Sequence, residues 1–193
     1  IVLSPLGETI VAAHQIAISV TSQLFMIPMS LAIALTLRVG TYYGEQNWQA
    51  MRKVQYLGLI TATILAILTM ILLWAFRNEI VALYTSDMIV TQIAVYLILF
   101  AIAYQLLVGW QISAAGCLRG MQDTKGPMWI TMLAYWVIAF PVGVYLSRFT
   151  DMGAAGVWVG LIVGLSVACV LLLARLYGNN KRLSLDHSMR SAD

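Results

Sequence analysis

Five long apolar stretches follow one another along these 193 residues, and all 8 carboxylates lie between or beyond them. A helix needs roughly 20 mostly apolar residues to cross a bilayer. The stretches run from about Ile10 to Leu37, Val54 to Phe76, Met88 to Leu118, Met128 to Leu146 and Ala154 to Leu176. They predict an all-α membrane protein over residues 1–177, a polytopic bundle of five transmembrane helices, with a polar tail over 178–193 that frays. Composition agrees: 61% of residues are hydrophobic, 10% are charged, and the mean hydropathy is +0.87. A soluble domain carries about 25% charged residues. The net charge of +3 sits in short connections rather than along one face, which excludes nucleic acid as the expected partner and leaves the lipid bilayer.

The connections carry the orientation. They comprise a glycine-rich loop within 38–53, a segment over 77–87 with a short interfacial turn at Ile80–Tyr84, a Gly/Asp/Lys/Pro loop over 119–127 and a tight turn over 148–153. Alternate connections must lie on opposite sides of the membrane. One side then collects Arg38, Arg52, Lys53, Arg119, Lys125, Arg175, Lys181, Arg182 and Arg190, and the other has only Arg77 and Arg148. The basic side is expected to be cytoplasmic, so the C-terminus is predicted to lie inside. The opening Ile1-Val2-Leu3-Ser4-Pro5-Leu6-Gly7-Glu8 reads as the last turn of an apolar helix and a loop, with no initiating Met and no signal-peptide pattern. It predicts that at least one more helix precedes it.

Several features interrupt the apolar pattern. Pro28 lies in the first stretch, and Pro141 with Gly143 in the fourth. Both prolines are expected to kink their helices and free backbone carbonyls, as fixed bends or as hinges. Gly156, Gly160 and Gly164 recur at four-residue spacing, a stripe that admits close approach of another helix. Cys117 and Cys169 lie in apolar surroundings with no second Cys or His at ligand spacing, so they read as packing residues and no metal site is expected.

Two polar stripes are candidates for a ligand cavity. In the first stretch Gln15, Ser19, Ser22 and Gln23 share one helical face, beside His14. Such a face must avoid lipid, so it bonds to other helices or lines a water-filled wall. In the third stretch Tyr104 and Gln111 lie on one side, with Val108 or Leu107 between them. Rings and amides suit amphipathic cations, and the same residues could equally be packing with satisfied amides. Catalysis is not expected. Gly164-Leu165-Ser166-Val167-Ala168 superficially resembles a serine-nucleophile motif, but it lies in the glycine-striped helix and lacks a paired base.

Several segments in order carry a resemblance. Val11-Ala12-Ala13-His14-Gln15-Ile16-Ala17 leads into Phe25-Met26-Ile27-Pro28-Met29-Ser30, then Ile33–Gly40 and Gly44-Glu45. Ala114–Gly120, Asp123-Thr124-Lys125, Tyr135-Trp136, Pro141-Val142-Gly143 and Gly153–Gly160 follow. Together they resemble the MATE (multidrug and toxic compound extrusion) transporters, in the NorM-like bacterial branch, across almost the whole chain. The resemblance implies twelve helices in two six-helix lobes, of which this chain supplies the eighth to twelfth. It implies a missing N-terminal lobe as partner and a bacterial inner-membrane location. It also implies export of amphipathic, mostly cationic drugs and dyes by alternating access, coupled to H⁺ or Na⁺, with no other cofactor. Gln15, Ser19, Gln23, Tyr104 and Gln111 are then the expected substrate-cavity residues.

One position departs from the family pattern. NorM-like members often carry a Tyr and, four residues later, an Asp in the tenth helix. Tyr104 matches the first, and Val108 stands at the second. A cation site built on Tyr104 would lack its carboxylate, so coupling is expected to depend on an acid outside these spans. That favours H⁺ over Na⁺, because few oxygen partners make a poor metal cage. The alternatives are a lipid-linked oligosaccharide flippase of related fold, which would be expected to show cations in its cavity, and a non-transporting membrane assembly subunit.

Overall fold

The computed structural model describes residues 8–150 and 154–190; the expectations for Ile1–Gly7 and for the turn at 151–153 lie outside them. The described helices are α1 (Glu8–Gly44), α2 (Trp48–Ala75), α3 (Arg77–Ala82), α4 (Met88–Gly120), α5 (Lys125–Leu133), α6 (Phe140–Phe149) and α7 (Ala154–Arg190). A π-helical turn over Ala134–Ala139 joins α5 to α6. Among the described residues, 5 helical segments are long and apolar enough to cross a membrane, with α5 through α6 forming one of them. The outward faces carry Met26, Leu37, Ile64, Ile71, Trp136 and Phe140, all exposed. A soluble chain would bury such side chains, whereas a bilayer solvates them.

Consecutive spans run antiparallel, and the packing separates into two ends. One apolar cluster joins the start of α1 (Ala13, Ile16, Ala17, Val20) to Leu73 of α2, Val81 of α3, the first half of α4 and Trp158 of α7. The other joins Leu35 and Val39 of α1 to Met51 of α2, Cys117 and Leu118 of α4, and Leu172 and Leu176 of α7. The second cluster lies at the end where the sequence gathered most of its basic residues. Alternate connections therefore meet at the same end, as the charge pattern requires. Cys117 and Cys169 are both buried and free.

Small residues let the helices touch backbone to backbone. A Cβ built on Gly116 would stand 2.6 Å from the Ala32 carbonyl oxygen, and one on Gly120 would stand 2.7 Å from that of Thr36. The Thr36 hydroxyl donates to Gly116 O at 3.0 Å across the same α1–α4 contact. The stripe of Gly156, Gly160 and Gly164 is seated against the fourth span, on Ser147, Gly143 and Ala139 in turn.

Three expectations are corrected. The glycine-rich segment 39–44 is helix, not loop: Gly40 permits approach to Gly120, and the chain turns only at Gln46, whose φ of 54° is left-handed. Asn47 then caps α2 by accepting from Ala50 N at 3.1 Å. The last helix does not end near Leu176 but continues to Arg190. The first polar residues beyond Tyr177 are anchored, because the Asn179 and Asn180 amides donate to Asp123 and Gln55. Finally, the fourth span is not a simple kinked helix. Phe140 N–H bonds to Tyr135 O, five residues back, immediately before Pro141. Proline lacks an N–H and its ring crowds the carbonyl four residues earlier, and the wider turn accommodates that crowding. By contrast α1 continues as one helix through Pro28, which is buried.

Candidate functional site

The buried face of α1 runs through Ala13, Ile16, Ala17, Val20, Pro28, Ala32 and Leu35. Its opposite side carries the first polar stripe. Gln15, Ser22, Gln23 and Ser30 are exposed and Ser19 is half-buried. The stripe is therefore turned mostly away from the described helices. In hydrocarbon, amides on such a face would be unsatisfied at a cost of several kcal/mol each. The physical requirement is a further protein surface, or water, against this side of α1.

The second stripe points inward and is tied to other helices. Gln111 is buried, and the Tyr135 hydroxyl donates to its Oε1 at 3.2 Å. Tyr104, half-buried two turns earlier, meets the Trp158 ring edge-on with centroids 6.3 Å apart. Trp158 is itself 2% exposed, and its indole N–H donates to His14 Nδ1 at 3.2 Å. The proton of His14 is then on Nε2, since an Nδ1 that accepts cannot carry one. A seam of rings and amides thus links α1, α4, α7 and the π-helical turn.

Beside Gln111 a groove of about 340 Å³ opens between α1, α4 and α5. Phe25 and Met29 line one wall, Gln111 and Ile112 another, and Thr131 and Met128 a third, with Arg119 at its end. Aromatic, thioether and amide groups adapt to many apolar ligands. Of the five expected cavity residues, only Gln111 lines this groove. Tyr104 lies in the seam, and Gln15, Ser19 and Gln23 lie on the outward face of α1.

The hinge candidates have different surroundings. Pro28 adjoins a small cavity with Ala62, Ala66 and Thr69 of α2 and Gln105 and Gly109 of α4. Pro141 is exposed, and Gly143 is buried against Val157 and Gly160. Val108 is 1% exposed and adds no oxygen to Tyr104. Among the described residues, no three His, Cys, Asp or Glu side chains stand together as a group that could hold a metal ion.

Two participants were not singled out from the sequence as site residues, Tyr135 and Trp158. The available signal was chemical: a Tyr or Trp inside an apolar span needs a partner for its O–H or N–H. Gln111 and His14 are the polar groups that answer it.

At the basic end, Asp123 of the α4–α5 connection closes the bundle onto α7. Arg175 donates to its two carboxylate oxygens at 2.6 and 3.0 Å, Asn179 at 3.1 Å, and Gly126 N–H at 3.2 Å. The Arg175 guanidinium, with these neutral donors, holds the Asp123 carboxyl below its ordinary value despite partial burial. A depressed carboxylate contributes stability above its unfolded pKa of about 3.9 and loses it as pH falls through the folded value. The stability gap between wild type and Asp123→Asn is therefore expected to be constant from neutral pH down to about 5 and to narrow only below about 4. Thermal unfolding of both proteins across pH checks this; a gap that closes near neutrality contradicts it.

Comparison with known proteins gives a consistent family. The model of the MatE family matches residues 1–145. A probable multidrug resistance protein NorM of Acinetobacter baylyi is 72% identical over 184 residues, covering 95% of this chain and 41% of its own length. The multidrug resistance protein NorM of Photobacterium profundum is 43% identical over 181 residues, covering 91% and 40%. The chain thus spans about 40% of the length of the curated relatives it matches. Among solved structures, the eukaryotic MATE transporter AtDTX14 superposes with a TM-score of 0.85 at 22% identity, over 95% of this chain and 41% of that one. A MATE in the bent conformation gives a TM-score of 0.87 at 18% identity, over 94% and 40%. At these identities the structures establish the fold.

Proposed function

The chain belongs to the MatE family, and on that premise we propose that it forms one lobe of a cation-coupled multidrug efflux antiporter of the bacterial inner membrane. The observation that carries the proposal is the polar stripe on the outward face of α1. Among the described residues, Gln15, Ser22 and Gln23 are left exposed and Ser19 half-buried. A second lobe facing α1 across an aqueous cleft accounts for them, and the relatives' greater length leaves room for one.

In this reading the cleft takes up amphipathic, mostly cationic drugs and dyes. The groove beside Gln111 receives their apolar parts, with Phe25 and Met29 as adaptable contacts. Weak, multiple contacts of this kind serve many ligands. The basic end of the bundle faces the cytoplasm, and the lobes exchange outward-open and inward-open arrangements. A coupling group must bind its cation with different affinity in the two states. Val108 cannot serve, so an acid beyond these spans does, with H⁺ as the coupling ion. The flippase alternative gains little from Arg119, whose Nε donates back to Ala115 O of its own helix at 3.2 Å.

Dye efflux by the two-lobe transporter tests the reading. Gln111→Ala is expected to lower efflux of a cationic dye several-fold at unchanged protein level, because it opens a polar gap and frees the Tyr135 hydroxyl. Gln15→Ala and Tyr104→Ala are expected to reduce it less. Unaltered efflux in all three removes the cavity wall. Separate Na⁺ and pH gradients in vesicles decide the ion; efflux driven by Na⁺ alone overturns the H⁺ assignment.

A further inference from the structure

At the basic end, a groove of about 480 Å³ lies between α2 and α7. Its walls change character along the helix axes. Leu59, Leu173 and Leu176 form the part nearer the membrane interior, Tyr56 and Tyr177 flank it, and Arg52 and Lys181 stand at the mouth. Tyr56 and Tyr177 are 67% and 73% exposed, as rings at a membrane–water boundary are. Among the described residues, no carboxylate lines the groove. Glu45 lines a neighbouring groove that shares Arg52 and Ser184, whereas Lys181 lines the first groove alone.

The mouth is held in place. Arg52 Nη2 donates to Asn180 O at 3.3 Å, and Asn180 Nδ2 donates to Gln55 Oε1 at 2.7 Å. Gln55 Nε2 in turn contacts Met121 Sδ at 3.3 Å. Asn180 is thereby fixed through both its backbone carbonyl and its side-chain amide. The groove therefore offers positive charge and then an apolar floor from water to membrane.

We propose that this groove is a binding site for an anionic phospholipid. The phosphate would sit between Arg52 and Lys181, and one acyl chain would lie along Leu59, Leu173 and Leu176. A zwitterionic lipid places its own ammonium among these cations and is disfavoured. A soluble anion would leave the leucine floor unused. The inference rests on the membrane-spanning bundle and not on the transport reading, so efflux results do not bear on it.

The test uses the full transporter, purified from the membrane and exchanged into nanodiscs of phosphatidylcholine containing phosphatidylglycerol. Lipid retained after detergent extraction is read by native mass spectrometry. The wild type is expected to retain phosphatidylglycerol over phosphatidylcholine, and Arg52→Gln/Lys181→Gln to lower that preference about 30-fold. Lys53→Gln/Arg182→Gln removes the same charge from exposed neighbours that do not line the groove, and is expected to keep it. Equal loss in both double variants would mean diffuse surface attraction and overturn the site. Displacement of the lipid by millimolar inorganic phosphate would overturn the lipid as occupant. A bulky replacement in the floor, Leu173→Trp, is expected to lower retention with both cations intact; unchanged retention would also count against the site.

Discussion

Gly160→Val is expected to abolish most of the folded protein recovered from membranes, with Gly160→Ala intermediate and Gly178→Ala without loss. A Cβ at Gly160 would stand 2.4 Å from both Cα and N of Gly143 and 2.8 Å from Ala139 O. All three obstacles are backbone, so no side-chain rotation relieves them. Flanking positions allow no sliding either: at Gly156 a Cβ would meet Leu146 C at 2.6 Å, and at Gly164 it would meet Ala139 Cβ at 2.4 Å. Helix α7 would have to separate from α6 along its first half. In lipid this is serious, because tails solvate apolar helices as well as other helices do, and close packing is what holds them together. Overpacking costs about 1–3 kcal/mol even where a core can adjust. Gly178, on the same helix, has nothing within 4 Å of its Cβ position, so Ala there gains helix propensity of about 1 kcal/mol. Fluorescence-detected gel filtration and thermal stability of the three variants check the order. A monodisperse, wild-type-like Gly160→Val would refute the packing account.

The same contact shows how far the sequence could be read. Four-residue glycine spacing in the last span announced a close helix approach, but not which helix would meet it. The partner, Gly143, looked like part of a hinge because it follows Pro141. In the fold it is buried against α7, and the local irregularity lies upstream in the π-helical turn. Gly116 and Gly120 carried an equivalent message for α1 and α4, hidden within a run of small residues. Span number and alternation were legible because hydrocarbon imposes length and apolarity locally. The ends were less so. Polar residues after Leu176 resemble a tail until Asp123 and Gln55, far away in sequence, are seen to bind them.

The polar residues of the spans were legible in the sequence, but what each of them meets was not. Periodicity groups Tyr104 with Gln111 on one side of α4, yet it could not reveal that one meets Trp158 and the other Tyr135. It grouped Gln15, Ser19 and Gln23 without indicating that their face points away from the bundle. Helical period gives a face; only the packing of the other helices says what that face confronts.

Trp158→Ala is expected to destabilise the lobe by about 3–5 kcal/mol, the range for emptying a large buried aromatic site. The indole is 2% exposed within the cluster that joins α1, α2, α3, α4 and α7, and Tyr104 of α4 and His14 of α1 both meet it edge-on. Its removal leaves a cavity at the junction of three spans and also orphans His14 Nδ1. Trp158→Phe separates the two effects. A ring remains to contact Tyr104, while the bond to His14 is lost, and such interhelical bonds in membranes average about 0.6 kcal/mol. The expected order is therefore wild type slightly above Trp158→Phe and far above Trp158→Ala. In the Phe background, His14→Ala should cost less than it does in the wild type, because the indole bond has already gone. Thermal unfolding in detergent for the four proteins measures that coupling. If the two substitutions add fully, the indole–imidazole bond contributes nothing; if Trp158→Ala matches Trp158→Phe, the ring is not the post around which the three helices close.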